Sequence, residues 1–421
     1  MRFIFLSLRR NVLPFTFVII AVCLVIFSSS NLTAAKNGLT LWATCVVPSL
    51  FPFFVITNLL THTKIVKFVG KLLDKLMRPI FNVPGVGGFA FVMGLISGYP
   101  VGAKIVSDFR KDGLVTKDEG ERMLAFTNNS GPLFIISSVG ISLFGDTTTG
   151  LLLLGTHILS CITVGIILGK FSNKSNEDFR YSFSKNYEKS NNKSLYNNKL
   201  KSSASNTNSK TNTNSNLTLK NLGEVLGNSI NNSISTILMI GGFVVIFSVI
   251  ISILNKTHTL DLLSQFLNPF LGFLGFDLSF AKPILSGIIE LTNGVNLVSS
   301  IHIKAISQNI VICAFLLGFG GFSVLLQVFS IVAQTDLSMK KYFIGKLLQG
   351  IIAGIYTFVA LKIFPFINLD MVQTSANSVS SLTSVNNTLY AYFYNFGIFI
   401  IAIIILLIIF SLFKKLYEKV F

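Results

Sequence analysis

Two apolar segments of this chain are interrupted by residues that an unbroken membrane helix does not carry. One reads Gly94-Leu-Ile-Ser-Gly-Tyr-Pro-Val-Gly-Ala-Lys104, the other Gly287-Ile-Ile-Glu-Leu-Thr-Asn-Gly-Val-Asn296. In hydrocarbon every backbone polar group needs a partner, so irregular backbone survives there only where protein buries it or where it lines a cavity. Broken apolar segments at corresponding places in two halves of a chain point to a transporter's binding site.

Composition places these segments in a bilayer. Of 421 residues, 51% are hydrophobic and 12% charged, and mean hydropathy is +0.68. A soluble chain carries about 25% charged residues. The fold class is therefore an all-α polytopic membrane protein. The formal charge of +17 raises nucleic-acid binding. The basic residues instead cluster in loops and at helix ends, as the positive-inside rule requires, so the partner is the lipid bilayer and not nucleic acid. Cys23, Cys45, Cys161 and Cys313 stand singly in apolar segments, without the spacing of a metal site or a disulfide framework.

The first apolar run, Val12 to Phe27, follows Arg2, Arg9 and Arg10 and precedes a Ser/Ala-rich stretch ending at Ala35. It reads as an uncleaved transmembrane helix in an N-terminal unit, residues 1–38, with a signal peptide cleaved after Ala35 as the alternative. A first repeat, 39–169, opens with a span from Leu39 to Leu60 that Pro48 and Pro52 should kink. Lys64, Lys67, Lys71, Lys75 and Arg78 then form one face of an amphipathic helix suited to the anionic cytoplasmic surface. The first interrupted segment is Val83 to Val106. Thr116-x-x-Glu119 reads as a capping box, and spans follow at Pro132–Phe144 and Leu151–Gly169. Residues 170–220 are rich in Ser, Asn and Lys and too poor in aliphatics to fold, giving a cytoplasmic linker. The second repeat, 221–364, holds a span to Leu254, a soft amphipathic piece from Leu260 to Phe276, the second interrupted segment from Ser279 to Ile301, and apolar stretches at Ile306–Val332 and Tyr342–Ile363. An extracytoplasmic loop, 365–388, and a C-terminal helix with a basic tail, 389–421, complete the plan. Both termini are cytoplasmic on this reading.

The two repeats align in order. Met93-Gly94-Leu-Ile-Ser97 lies over Ser286-Gly287-Ile-Ile-Glu290, each followed by a breaking cluster: Gly98, Pro100 and Gly102 in one, Asn293 and Gly294 in the other. From Lys64 to Arg122 there are ten basic residues, against Lys256, Lys282 and Lys304 between 256 and 304. This asymmetry orients the copies oppositely. The expectation is an inverted repeat with two re-entrant helical hairpins and a site near the midplane.

The chemistry of the breaks is that of binding. The four histidines are isolated and no paired carboxylates occur at helical spacing, so no catalytic residues, metal site or cofactor are assigned and the chain reads as no enzyme. Glu290 is a carboxylate in an apolar segment, which is costly and therefore functional or paired. It can be protonated, bind a cation or accept a substrate hydrogen bond; the alternative is that it caps a broken helix. Thr292, Asn293 and Asn296 adjoin it. Ser97, Gly98 and Tyr99 form the matching break, where freed backbone N–H groups favour anions, although a simple proline kink explains the same residues. Lys104 either neutralises an anionic substrate or snorkels to the interface. Asn128, Asn129 and Ser130 form a third polar break, with Gly318, Gly320 and Gly321 as its counterpart.

Ser97-Gly-Tyr-Pro-x-Gly-Ala-Lys104, Asn129-Ser-Gly-Pro132 and Glu290-x-Thr-Asn-Gly294 together resemble the YlbJ family of sporulation integral membrane proteins. That family carries two Gate (nucleoside-recognition) repeats and is related to concentrative nucleoside transporters. The resemblance runs from about Leu39 to Ile363. It implies a concentrative-nucleoside-transporter-like fold, the outer forespore membrane, and transport of dipicolinic acid, a small aromatic dicarboxylate, from mother cell toward forespore. Substrate binding then falls to the polar residues of the breaks, with Tyr99 or a Phe stacking on the ring. Glu290 repels a dianion unless it is protonated, bridged or used in coupling to H+ or Na+, the ion being left open. A nucleoside or nucleobase carrier and a non-transporting spore-assembly scaffold are the alternatives, and a homo-oligomer is compatible with all three.

Overall fold

Helix dominates, and no strand occurs among the described residues, which in this computed structural model are 14, 16–61, 63, 65–170, 222–301 and 306–363. The linker, the loop 365–388, the C-terminal span from Tyr390, and the start of the N-terminal run lie outside them. Five described helices are long and apolar enough to cross a membrane: Ser28–Leu60, Thr147–Lys170, Leu222–Lys256, Ser307–Val332 and Lys340–Ile363. Phe68–Phe81 and Val86–Ser97 make a sixth if taken as one span, bent by 90°.

The first segments depart from the sequence reading. Helix α1 (Thr16–Ile26) is followed by α2 (Ser28–Leu41), which passes through a π-helical turn at Trp42–Val46 into α3 (Val47–Thr61). The span expected to begin at Leu39 thus begins at Ser28. Asn31, Lys36 and Asn37 look like a loop in sequence. Asn31 instead turns its amide inward onto the Cys23 carbonyl at 3.1 Å, and α2 packs along a neighbouring helix. The π turn stands just before Pro48, where a proline cannot supply the regular helical N–H.

Helix α4 (Ile65–Phe81) leads into α5 (Val86–Ser97) and α6 (Val101–Lys111). Its outer face presents Phe68, Leu72 and Leu76, the stripe that its apolar periodicity requires. Helix α7 (Lys117–Thr127) starts as predicted: the Glu119 N–H donates to the Thr116 hydroxyl, and a Glu119 oxygen accepts from the Thr116 N–H at 2.9 Å. A π-helical segment, Phe134–Leu143, replaces the expected regular span, and α8 (Thr147–Lys170) follows.

In the second half, α9 (Leu222–Lys256) is one helix of 35 residues. Then come α10 (Thr259–Phe273), a 3-10 turn at Leu278–Phe280, α11 (Ala281–Ile289), α12 (Leu291–Ser299), α13 (Ile306–Phe319), α14 (Gly321–Val332) and α15 (Lys340–Ile363). Both halves therefore hold a helix, a broken helical pair, a helix and a polar or glycine break before the next helical segment.

Packing is by small residues, which let membrane helices approach closely. Helix α15 lies against α13, α8 and α7. A Cβ at Gly318 of α13 would sit 2.7 Å from the Gly350 Cα of α15, and one at Gly345 would sit 2.5 Å from the Ala125 Cβ of α7. Helix α9 lies against α2 and α3, where Gly241 makes room for the Trp42 ring and the Trp42 indole donates to the Ile237 carbonyl at 3.0 Å. The halves also meet at the broken pairs: α6 touches α14, and α12 touches the π-helical segment.

Candidate functional site

The first break is held from two sides. Ser97 ends α5 fully buried, and its hydroxyl is hydrogen-bonded to that of Thr57 on α3. Gly98 takes φ +80°, a conformation open to glycine without steric cost. Helix α6 restarts at Val101. Gly94 and Gly102 clasp the end of α7, since a Cβ at either would stand 1.8 or 2.2 Å from the Thr127 carbonyl oxygen. Gly98 and Gly131 touch through backbone alone. The first break and the polar break after α7 are thus one structure.

The second break lies at Glu290, one residue wide. Its backbone is extended, with φ −140°, and its carboxylate accepts from the Thr292 N–H at 3.1 Å and the Asn293 N–H at 2.7 Å. This corrects the placement of the break at Asn293 and Gly294, which sit inside α12. Gly294 serves contact instead: a Cβ there would lie 2.0 Å from the Gly287 Cα, so α11 and α12 close on each other. The glycine break between α13 and α14, with Gly320 and Gly321 at φ +84° and +80°, leans on the same place. A Cβ at Gly321 would lie 3.0 Å from the Gly287 carbonyl oxygen and 3.2 Å from the Leu291 nitrogen.

Tyr99 joins the two breaks. Its buried hydroxyl is close enough to Glu290 and Tyr342 to feel their charges. It also lies near the Ser130 hydroxyl, although the latter is not aligned for a hydrogen bond. The Asn128 amide donates to the Tyr342 hydroxyl at 2.9 Å, and the Ser130 N–H donates to His157 Nε2 at 3.3 Å. Asn129 donates to the Phe126 carbonyl at 2.7 Å; its Oδ1 accepts from Gln349 at 2.9 Å and from the Lys346 ammonium at 3.3 Å.

Ser97, Gly98, Tyr99, Asn128, Asn129, Ser130 and Glu290 are therefore brought together around the two breaks. Thr292 is buried beside Glu290. Asn293 is half-buried and turns away to the Ser248 hydroxyl of α9, at 2.7 Å. Asn296 is exposed and does not share that bond. Lys104 is half-buried in the first turn of α6, and its side chain makes no hydrogen bond or ion pair with the residues of the breaks.

Sequence reading missed Lys346, Gln349, Tyr342, His157 and Thr57. Lys346 carried a signal: it is a lysine inside an apolar span, expensive there and functional by default. It stands one turn from the basic start of α15, where Lys340 and Lys341 mask it. His157 looks isolated in sequence because its partner Ser130 lies 27 positions away. Chemically, the cluster offers amide and hydroxyl donors, the buried Lys346 amine and the buried Glu290 carboxyl, whose oxygens are already engaged.

The Gate family profile, described as nucleoside recognition, matches residues 43–172 and 237–335, which contain both breaks. The Bacillus subtilis (strain 168) protein named sporulation integral membrane protein YlbJ is 33% identical over 346 residues, 82% of this chain and 81% of that protein. No solved structure matches. The chain, an integral membrane protein with its polar residues gathered at paired helix breaks, belongs to the Gate (nucleoside-recognition) family and has that sporulation protein among its relatives.

Proposed function

We propose that this protein is a sporulation membrane carrier, not an enzyme, and that it moves dipicolinic acid from mother cell to forespore across the outer forespore membrane by alternating access. The observation that carries the reading is the pair of buried breaks, where Tyr99 of one half lies within electrostatic reach of Glu290 of the other. Apolar helices that break at the same buried place hold backbone and side-chain polar groups ready for a solute, and the carrier moves one half against the other around it. On this reading the repeats are inverted and the hairpins α5–α6 and α11–α12 are re-entrant, one from each face. The relative's name supports the sporulation setting.

Glu290 fits an anionic solute better than its charge suggests. Both oxygens accept backbone N–H groups at the start of α12, and a helix N-terminus compensates a carboxylate. The amides of Asn128 and Asn129 and the ring of Tyr99 suit a flat aromatic acid. A nucleoside or nucleobase is the second reading, favoured by the description of the matching family and by the neutral amides that line the cluster.

The test is uptake into proteoliposomes that carry the full chain, with radiolabelled dipicolinate and radiolabelled uridine in parallel. Saturable dipicolinate uptake supports the carrier and its substrate. Uridine uptake alone favours the second reading, and no uptake of either leaves the scaffold role. Ser97→Ala and Glu290→Gln should each lower uptake at least about tenfold, a loss of about 1.4 kcal/mol in transition-state binding, without lowering membrane abundance.

A further inference from the structure

Arg122 and Lys346 are the buried arginine and lysine side chains among the described residues. Arg122 is paired with Asp118 at the edge of α7. Lys346 has no carboxylate within ion-pair distance among the described residues. Its Nζ donates to Gln349 Oε1 at 2.7 Å and more weakly to Asn129 Oδ1 at 3.3 Å. An ammonium has three donors, and these two amide oxygens supply no compensating charge. An uncompensated charge in a protein interior is costly, and breaking a buried pair is strongly destabilising for that reason.

The surroundings are also incompletely satisfied. Asn128 Oδ1 and His157 Nδ1 are buried without a hydrogen-bond partner. Because His157 Nε2 accepts from the Ser130 N–H, the neutral ring carries its hydrogen on Nδ1 and leaves a donor unused. His157 is close enough to Lys346 to feel its charge. One further group that an anion could use is already taken. The N-terminus of α12 holds the Glu290 carboxylate.

We infer that Lys346 is the cationic ligand of the transported molecule, held beside the first break by Asn129 and Gln349 until a substrate carboxylate supplies its missing counter-charge. The site is specific for a carboxylate on a small planar acid, with His157 Nδ1–H as a second donor. Asn129 links it directly to the break lined by Ser130 and Gly131. The inference rests on the anion-carrier reading and names the group that would select the anion. It also explains why a lysine persists in a membrane helix with no acidic side chain of the described residues against it.

The experiment compares dipicolinate with its uncharged analogue pyridine-2,6-dicarboxamide, by binding to the full chain in lipid nanodiscs. The proteins are wild type, Lys346→Gln, Lys346→Arg and Gln349→Glu. Lys346→Gln should weaken dipicolinate binding at least tenfold and leave the dicarboxamide within threefold of wild type. Lys346→Arg should retain part of the dipicolinate affinity. Gln349→Glu keeps the lysine but gives it an internal counter-charge, and should weaken dipicolinate as Lys346→Gln does. If Lys346→Gln and wild type bind dipicolinate equally, Lys346 is not its ligand and the carrier reading stands. If wild type binds uridine and not dipicolinate, the anion reading and the role of Lys346 fall together. Equal loss of both pyridine ligands in a folded Lys346→Gln protein makes the lysine structural and overturns the inference.

Discussion

Glu290 is where a single side chain has most to do. It ends α11, starts α12 and brings a carboxylate to within electrostatic reach of Tyr99. Removing it should cost as a helix cap costs, increased by burial: Glu290→Ala leaves the Thr292 and Asn293 N–H groups unpaired and should destabilise by about 1–3 kcal/mol, read as a lowered unfolding temperature in nanodiscs. Glu290→Gln keeps one acceptor oxygen and should lose less than half of that. A Glu290→Ala protein as stable as wild type would mean that water or backbone replaces the cap. Lys104 and Lys346 show how far residue identity reaches. Both are lysines in apolar surroundings, and from sequence Lys104 looks the better candidate because it follows the first break. The fold leaves Lys104 half-buried on α6 and brings Lys346, 242 positions later in the chain, onto Asn129. A side chain's neighbours in sequence do not name its neighbours in space.

At the scale of elements, the breaks work as interlocked pairs. Gly94, Gly98 and Gly102 let the first hairpin close on Thr127 to Gly131, while Gly287, Gly294 and Gly321 do the same in the second half. The contact at Gly102 is to backbone, which cannot rotate away. Gly102→Ala should therefore destabilise by about 1–3 kcal/mol through overpacking and lower uptake. Gly242→Ala, where nothing lies within 4 Å, should leave the unfolding temperature within about 1 °C. If Gly102→Ala behaves as Gly242→Ala does, the clasp is not rigid. The breaks were legible in sequence as clusters of Gly, Pro and polar residues, and the capping box at Thr116 was legible because a cap is a local arrangement. The position of the second break was not. Asn293 and Gly294 look like breakers, but helical propensity is a weak prior and Gly294 is needed for the approach of α11 and α12.

Across the whole molecule, the α6–α7 region and the turn before α15 are joined by polar contacts outside the apolar helices. Arg110 forms a two-pronged bond with Asp336 at 2.8 and 2.9 Å, Lys111 donates to Gln334 at 2.8 Å, and Lys341 pairs with Asp118. The Arg110 guanidinium holds the Asp336 carboxyl below the usual carboxylate range. The native carboxyl is the stronger acid, so its contribution to stability is present above about pH 4, the ordinary aspartate value, and is lost as pH falls through the lowered native value. Both side chains are partly exposed, so the pair is weak and screened by salt. A double-mutant cycle with Arg110→Gln and Asp336→Asn should give a coupling below about 1 kcal/mol at pH 7, smaller at 1 M salt and smaller again at pH 3. A coupling that grows on acidification would be inconsistent with the pair. By itself, the sequence determined that the chain is helical and membrane-bound, that two apolar segments break, and that the breaks carry polar residues. Those follow from hydropathy, charge placement and local backbone preference, which act over a few residues. Only the tertiary structure decided that Tyr99 comes within electrostatic reach of Glu290, that Glu290 closes a helix end, and that Lys346 joins Asn129. Such contacts arise where helices distant in the chain approach through glycines, and that approach is set by the packing of the bundle.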